Sequence, residues 1–267
     1  MKILVPIDFS ENSIKALEFA VSLAKKENTV LTLVYVIEVV FDFASQAELA
    51  LEAMYKDGEK QMKKTIKAYG TFGIPMNYRV VQGTAAVTIS RIAEDEEMDL
   101  IVMGTQGASG IKKTLIGTVT VHVIKESTCP VLVIPSQAQL SKLHKLTLAL
   151  EFSNHEEDFI DWTIDLANQW KMGFEIVHIQ SGKGFREELT RLGAEGYFAK
   201  KYPQMKTTIH TIPDENPTHG LEEFMNREPN MILAMCHNHR NLWEELTKKS
   251  HSIEMAYHTR LPLLVLV

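Results

Sequence analysis

Along residues 1–134 the apolar positions switch between two periods. "KILVPI" (2–7) is a short continuous apolar run and predicts a buried strand. Ser10 then offers an N-cap, and Ile14, Leu17, Val21 and Ala24 follow at helical spacing. "TVLTLVYVIE" is rich in β-branched residues and predicts a second strand. Residues 46–69 are rich in Ala, Glu, Lys and Met with few breakers, which predicts a long helix. "NYRVVQG" reads as a third strand, "TAAVTISRIAEDEE" as a third helix and "DLIVMG" as a fourth strand. A fourth helix is predicted from Thr118 to about Lys125, and "PVLVIP" as a fifth strand. Alternating strands and helices predict a parallel sheet covered by helices on both faces.

Residues 135–144, "PSQAQLSKLH", break this pattern and read as a linker, assigned to 137–144 once the fifth strand has ended. Then the pattern restarts. "KLTLALEFS" (145–153) lines up with "KILVPIDFS" (2–10), and "EIVHIQ" (175–180) with "TLVYVI" (32–37). Met235 in "ILAM" pairs with Met103, and "RLPLLVLV" (260–267) matches "TCPVLVIP" (128–135). This is an internal duplication far longer than a solenoid repeat. It predicts two copies of one domain, over 1–136 and 145–267. Ser153 with Glu156 forms the pattern of a capping box for the first helix of copy two.

Composition narrows the function classes. The chain has 267 residues, 45% of them apolar and 23% charged, as in globular proteins. Its net charge of −6 makes it a poor binder of nucleic acid or anionic membrane. Two cysteines, Cys129 and Cys236, cannot build a disulfide framework. The apolar stretch at the start is too short for a signal peptide, and no run approaches a membrane span. The expectation is a cytoplasmic protein.

The candidate chemistry lies in "GTQGASGIKKTLIGT" (104–118), between the fourth strand and the fourth helix. In an open parallel sheet, ligands sit beyond the carboxyl ends of the strands at the switch point. Glycine lets backbone approach a ligand closely. Gly117 and Thr118 fall at a helix start, where free N–H groups and the helix dipole favour phosphate. Thr118 and Thr120 could add hydroxyl donors, and Lys112 and Lys113 charge, although loop lysines are more often simply solvated. Gly110 reads as a turn. The spacing is neither that of a Walker A loop nor that of a dinucleotide fingerprint.

The pattern G-x2-G-x9-G-[ST], with "VPIDFS" at the start, resembles the universal stress protein family. More narrowly it is similar to the ATP-binding branch, in a tandem form. The resemblance implies two domains of the adenine nucleotide alpha hydrolase-like type, each with a five-stranded, mainly parallel sheet. It implies ATP, with Mg²⁺, as the ligand of copy one. Asp8, with Pro6 and Ile7 leading to it, matches the acidic residue near ribose and adenine. Val36 matches the residue whose backbone meets adenine. Gly104 (after Met103), Gly107, Gly117, Thr118, Val119 and Thr120 match the ribose and phosphate cradle. Gly83 matches a structural glycine. In family members the fifth strand pairs across a dimer, so "PVLVIP" and "PLLVLV" are expected to pair inside this chain as a pseudo-dimer; further homodimerisation stays open, as does an unknown protein partner.

Copy two departs from this cradle. Gly104 becomes Cys236, Gly107 becomes His239, Gly117 becomes Lys249, Thr118 becomes Ser250 and Asp8 becomes Glu151. Side chains replace the bare backbone that phosphate needs, so copy two is expected not to hold ATP in this manner. Its Cys236, His237, His239, His251 and His258 raise a zinc alternative, although their spacing matches no common structural zinc motif. No nucleophile elbow and no H-E-x-x-H appears. The reading is a regulatory nucleotide binder with at most slow ATP hydrolysis. The alternatives are a scaffold without nucleotide, and a metal sensor.

Overall fold

The structure, a computed structural model, describes residues 1–25, 29–38, 47–105, 117–153, 156–182, 184–205, 207–236, 255 and 260–267. The chain divides into two compact units, Met1–Ser136 and Gln137–Leu266.

The first unit runs β1 (Lys2–Pro6), α1 (Glu11–Ala24), β2 (Val30–Ile37), α2 (Ala47–Tyr69), β3 (Met76–Gln82), α3 (Ala85–Asp95), β4 (Leu100–Gly104), α4 (Thr118–Glu126) and β5 (Val131–Ile134). Its strands pair in parallel in the order β3-β2-β1-β4-β5. The order reverses between β1 and β4, because β1 is followed by β2 on one side and by β4 on the other. That reversal makes the switch point. Ile3, Leu4 and Val5 of β1 and Leu100, Ile101 and Val102 of β4 are fully buried, as central parallel strands require.

The second unit runs β6 (Lys145–Ala149), α5 (Glu157–Gln169), β7 (Gly173–Gln180), α6 (Phe185–Lys201), β8 (Thr208–Pro213), α7 (Pro217–Arg227), β9 (Met231–Cys236) and β10 (Leu263–Leu266). The order is β8-β7-β6-β9-β10, again parallel throughout. The register repeats as well: Pro6 lies beside Val34 in the first unit and Ala149 beside Val177 in the second. That is the offset at which "KLTLAL" and "EIVHIQ" align with the first copy.

The strand-to-helix turn after the first strand of each unit is built on one plan. Phe9 and Phe152 occupy equivalent places and both take left-handed backbone, at φ 62° and 58°. Each packs its ring on the side chain at the matching place in the next strand. Phe9 lies 4.9 Å from Tyr35, and Phe152 lies 4.6 Å from His178, centroid to centroid. Small residues are exchanged elsewhere in the plan. In the first unit Gly83 follows β3, where a Cβ would run into the Thr88 hydroxyl of α3. In the second, Asp214 follows β8 and the glycine sits on the helix instead. A Cβ at Gly220 would lie 3.0 Å from the Asp214 Cβ and 2.9 Å from Ile179. One bulky side chain fits between loop and helix, from either side.

Candidate functional site

The register extends β1 and β4 to a common level at their carboxyl ends. Leu4 pairs with Ile101, so Ile7 stands level with Gly104. Ile7 and Met103 are buried, and form an apolar floor that offers only backbone to a ligand. Ile7 N–H donates to Val34 O at 2.8 Å. This ties the end of β1 to β2, where Val36 stands two residues further along, half-buried. Pro6, at the end of β1, has no N–H to offer.

Asp8 enters the turn into α1. Its Oδ1 accepts from Ser10 N–H at 3.0 Å, and its own N–H donates to Ser13 Oγ at 3.4 Å. Ser10 is the N-cap of α1, and its hydroxyl accepts from Ser13 N–H at 3.2 Å. Asp8 therefore helps close the turn that starts α1, and it does so with its carboxylate at the mouth of the switch point.

Gly104 has a packing reason to be glycine. A Cβ there would lie 2.8 Å from the Asn12 carbonyl oxygen and 2.9 Å from its carbon. The first turn of α1 thus packs directly on the end of β4. Asn12 and its contact were invisible in the sequence, because nothing there marks which backbone a glycine admits. Thr105, also missed, is buried; its N–H donates to Ile134 O at 3.2 Å, and its carbonyl accepts from Gly117 N–H. Thr120 is buried and its hydroxyl donates to Gly104 O at 3.0 Å. Two bonds therefore clip the start of α4 to the end of β4. Thr120 spends its hydroxyl proton on this clip, which is a structural task.

Gly117 caps α4 at φ −78° and ψ 153°. Any residue adopts that conformation, so backbone strain does not call for glycine there. The N–H groups of Thr118, Val119 and Thr120 lie in the first turn, where no intrahelical carbonyl reaches them. Among the described residues no side chain caps this end, and no acidic residue sits in its first turn. Thr118 is exposed, Val119 half-buried. The structure thus brings Pro6, Ile7, Asp8, Val36, Met103, Gly104, Gly117, Thr118, Val119 and Thr120 to one end of the sheet. Gly107, Gly110, Lys112 and Lys113 lie outside the described residues.

The equivalent place in the second unit is built differently. Cys236 stands where Gly104 stands, and α5 begins at Glu157, the equivalent of Ile14, three residues later than α1 does. Glu156 stands at the N-cap of α5 but makes no side-chain bond to that helix, and closes the preceding turn instead. Its carboxylate is buried and accepts from Glu151 N–H and Ser153 N–H, both at 2.9 Å. The expected capping box does not form: Ser153 N–H bonds Glu156, but α5 starts only at Glu157, so Ser153 lies three residues before the N-cap. Burial pushes the Glu156 carboxyl above its ordinary pKa, against the pull of those N–H donors. The Cys236 thiol is also pushed up, by burial first and then by the charges of Glu156 and Glu151. A thiol held protonated beside carboxylates is a weak nucleophile and a weak metal ligand. His237, His239, His251 and His258 lie outside the described residues. Among the described residues no group of three or more His, Cys, Asp or Glu side chains could hold a metal ion. No described helix is long and apolar enough to cross a membrane.

A model of the universal stress protein family matches residues 1–135. The chain belongs to the universal stress protein family. A universal stress protein of Methanocaldococcus jannaschii is 34% identical over 137 residues, which cover 50% of this chain and 81% of that one. One from Bacillus subtilis is 31% identical over 144 residues, covering 50% of this chain and 97% of its own length. Each spans about half of the present chain. The crystal structure of a universal stress protein from Archaeoglobus fulgidus matches at TM-score 0.79 with 20% identity, covering 99% of this chain and 97% of that one. That match establishes the fold over both units. The family model's match ends where the second copy's altered switch point has yet to begin.

Proposed function

We propose that the first unit is an adenine-nucleotide-binding regulatory module, and that ATP is held at its switch point between β1 and β4. The observation that carries this reading is the start of α4. Its first-turn N–H groups are uncapped among the described residues, and they are pinned beside the end of β4 by the Thr120–Gly104 and Gly117–Thr105 bonds. Gly117 stands there in a conformation that needs no glycine, which fits a place kept clear for phosphate. The donor set suits phosphate oxygens: aligned N–H groups, the positive end of a helix dipole and the Thr118 hydroxyl. Val36 and Asp8 would flank the nucleoside, over the floor of Ile7 and Met103. Any Mg²⁺ would ride on the phosphates. We read the second unit as a partner domain that does not use this mode, because Cys236 and Glu156 fill its switch point. The protein is then a sensor or switch rather than an efficient catalyst. Fast hydrolysis needs a positioned water and a charge stabiliser.

The test is Gly117→Val. Valine suits the extended backbone at that position, so the variant should fold with an unchanged melting temperature. ATP affinity, read by titration calorimetry with Mg²⁺, should fall at least about tenfold, a loss of roughly 1.4 kcal/mol. Acid-denatured wild-type protein should release about one adenine nucleotide per chain. Undiminished affinity in the variant would reject the site, and no binding by the wild type would favour the scaffold reading.

A further inference from the structure

The α6 helix wears its apolar residues on the wrong side. Its inward face is small: Ala194 and Phe198 are buried, at 8% and 3% exposure. Its outward face carries Phe185 at 79% exposure, Leu189 at 51% and Leu192 at 49%. Helical spacing puts these three on one stripe with Gly193, Gly196 and Ala199, all exposed. A Cβ at Gly193 or Gly196 would meet no atom within 4 Å, so neither glycine is required by this unit's own packing. Each weakens an exposed helix by about 1 kcal/mol relative to alanine. Apolar knobs beside unexplained gaps, on a solvent face, are what a packed partner helix would explain.

We propose that this stripe is the self-association surface of the protein, and that its occupant is α6 of a second copy, packed antiparallel about a two-fold axis between Leu192 and Gly193. The sequence of the helix is complementary to its own reverse. In that register Leu192 faces the partner's Gly193, and Leu189 faces the partner's Gly196. Each leucine enters a gap left by a glycine, and close approach of the two helices becomes possible. Phe185 falls opposite the partner's Lys200, whose stem and ammonium suit the ring face.

Charge selects this arrangement over a parallel one. Acidic Glu187 and Glu188 occupy the first turn of α6, and basic Lys200 and Lys201 the last. Antiparallel packing sets each acidic turn beside the partner's basic turn, and it opposes the two helix dipoles. Arg191 bonds both Glu188 and Glu195 within its own helix, each at 2.6 Å, on the side of α6 nearer Ala194 and Phe198, so it leaves the stripe clear. The contact runs from Phe185 to Lys200, about 22 Å of helix at 1.5 Å per residue. One helix face of that length falls below the roughly 1,200 Å² typical of stable complexes, so the dimer is weak and concentration-dependent. The stripe lies wholly in the second unit and does not depend on the nucleotide reading.

The experiment is sedimentation velocity of the full-length chain from low micromolar to several hundred micromolar concentration. The wild type should pass from monomer to dimer. Leu192→Glu should raise the dimer dissociation constant about tenfold or more with unchanged circular dichroism. A wild type that stays monomeric throughout would overturn the proposal. So would a dimer indifferent to Leu192→Glu, which would place the association on another face.

Discussion

Replacing Gly104 with alanine tests the contact that organises the switch point. Gly104 is absent from the positive-φ glycines of the described chain, so alanine is permitted by its backbone. The obstacle is space. The new Cβ would lie 2.8 Å from the Asn12 oxygen, 2.9 Å from the Asn12 carbonyl carbon and 3.1 Å from the Asn12 Cβ. Carbon contacts are comfortable at about 3.5–4.0 Å, so about half an ångström must be found. The first turn of α1 cannot give freely. Ser10 caps it, Ile14 N–H bonds Ser10 O at 3.0 Å, and Ala16, Leu17 and Ala20 are fully buried just beyond. Overpacking of this kind costs about 1–3 kcal/mol. Alanine's lower unfolded-chain entropy offsets about 0.4–1 kcal/mol of that. With the middle of each range, the net expectation is a loss of about 1.3 kcal/mol, or about 4–5 °C in the melting transition of a unit this size. Scanning calorimetry with urea titration measures it. Gly70→Ala is the control, because a Cβ there meets nothing within 4 Å. If Gly104→Ala lies within about 0.5 kcal/mol of wild type, the range of ordinary surface substitutions, the close approach of α1 to β4 is refuted.

Two further outcomes follow from the titrating groups. His219 Nδ1 lies 2.6 Å from Asp214 Oδ2 at the start of α7, and this bond raises the histidine pKa and lowers that of the aspartate. The histidine's contribution is complete below its ordinary value of 6.5 and is lost as pH rises through its raised value. The aspartate's is present above 3.8 and is lost as pH falls through its lowered value. The pair therefore supports α7 best between those limits, and Asp214→Asn should move the His219 NMR midpoint down toward 6.5; an unmoved midpoint would refute the coupling. Cys129 donates its thiol proton to Met98 O at 3.1 Å, and burial followed by the Asp99 charge pushes its pKa up to about 12. With Cys236 raised for similar reasons, an aromatic disulfide reagent at pH 8 should label both only after denaturation. Fast native labelling of Cys236 would contradict the placement of Glu156 and Glu151 around it.

The strands and helices of the first unit were legible because their periods differ. Continuous apolar runs such as "KILVPI" and "DLIVM" have no reading but buried strands once turn residues bound them. The duplication carried the strand plan into the second unit, and Ser10 announced α1 by its own chemistry. What stayed hidden depends on partners distant in sequence. Gly104 matches the ribose and phosphate cradle in sequence, yet the nearest obstacle to a side chain there is the Asn12 backbone, which only the packing of α1 on β4 brings close. The Thr120 hydroxyl donates to Gly104 O, a partner sixteen residues away that the sequence does not show. The exchange of Gly83 for Gly220 moves the small residue from loop to helix, and no alignment of two short segments displays such a swap. The outward stripe of α6 was missed for a related reason: Phe185, Leu189 and Leu192 have helical spacing, which by itself points to burial.

The paired left-handed phenylalanines act as an internal experiment that the chain has already performed. Phe9 stands beside a strand end with Gly104, and Phe152 beside one with Cys236 in that place, yet both keep φ near 60°. A bulky residue in that region carries a cost on the order of 1–3 kcal/mol. The corner is the same whether glycine or cysteine ends the neighbouring strand, so the cost does not follow the residue at that strand end. It belongs instead to the sharp exit from the first strand, where the ring locks against the neighbouring strand and turns the chain into the helix. Each unit therefore inherits a preloaded corner whatever its pocket becomes, and the pocket is free to change while the corner holds the architecture.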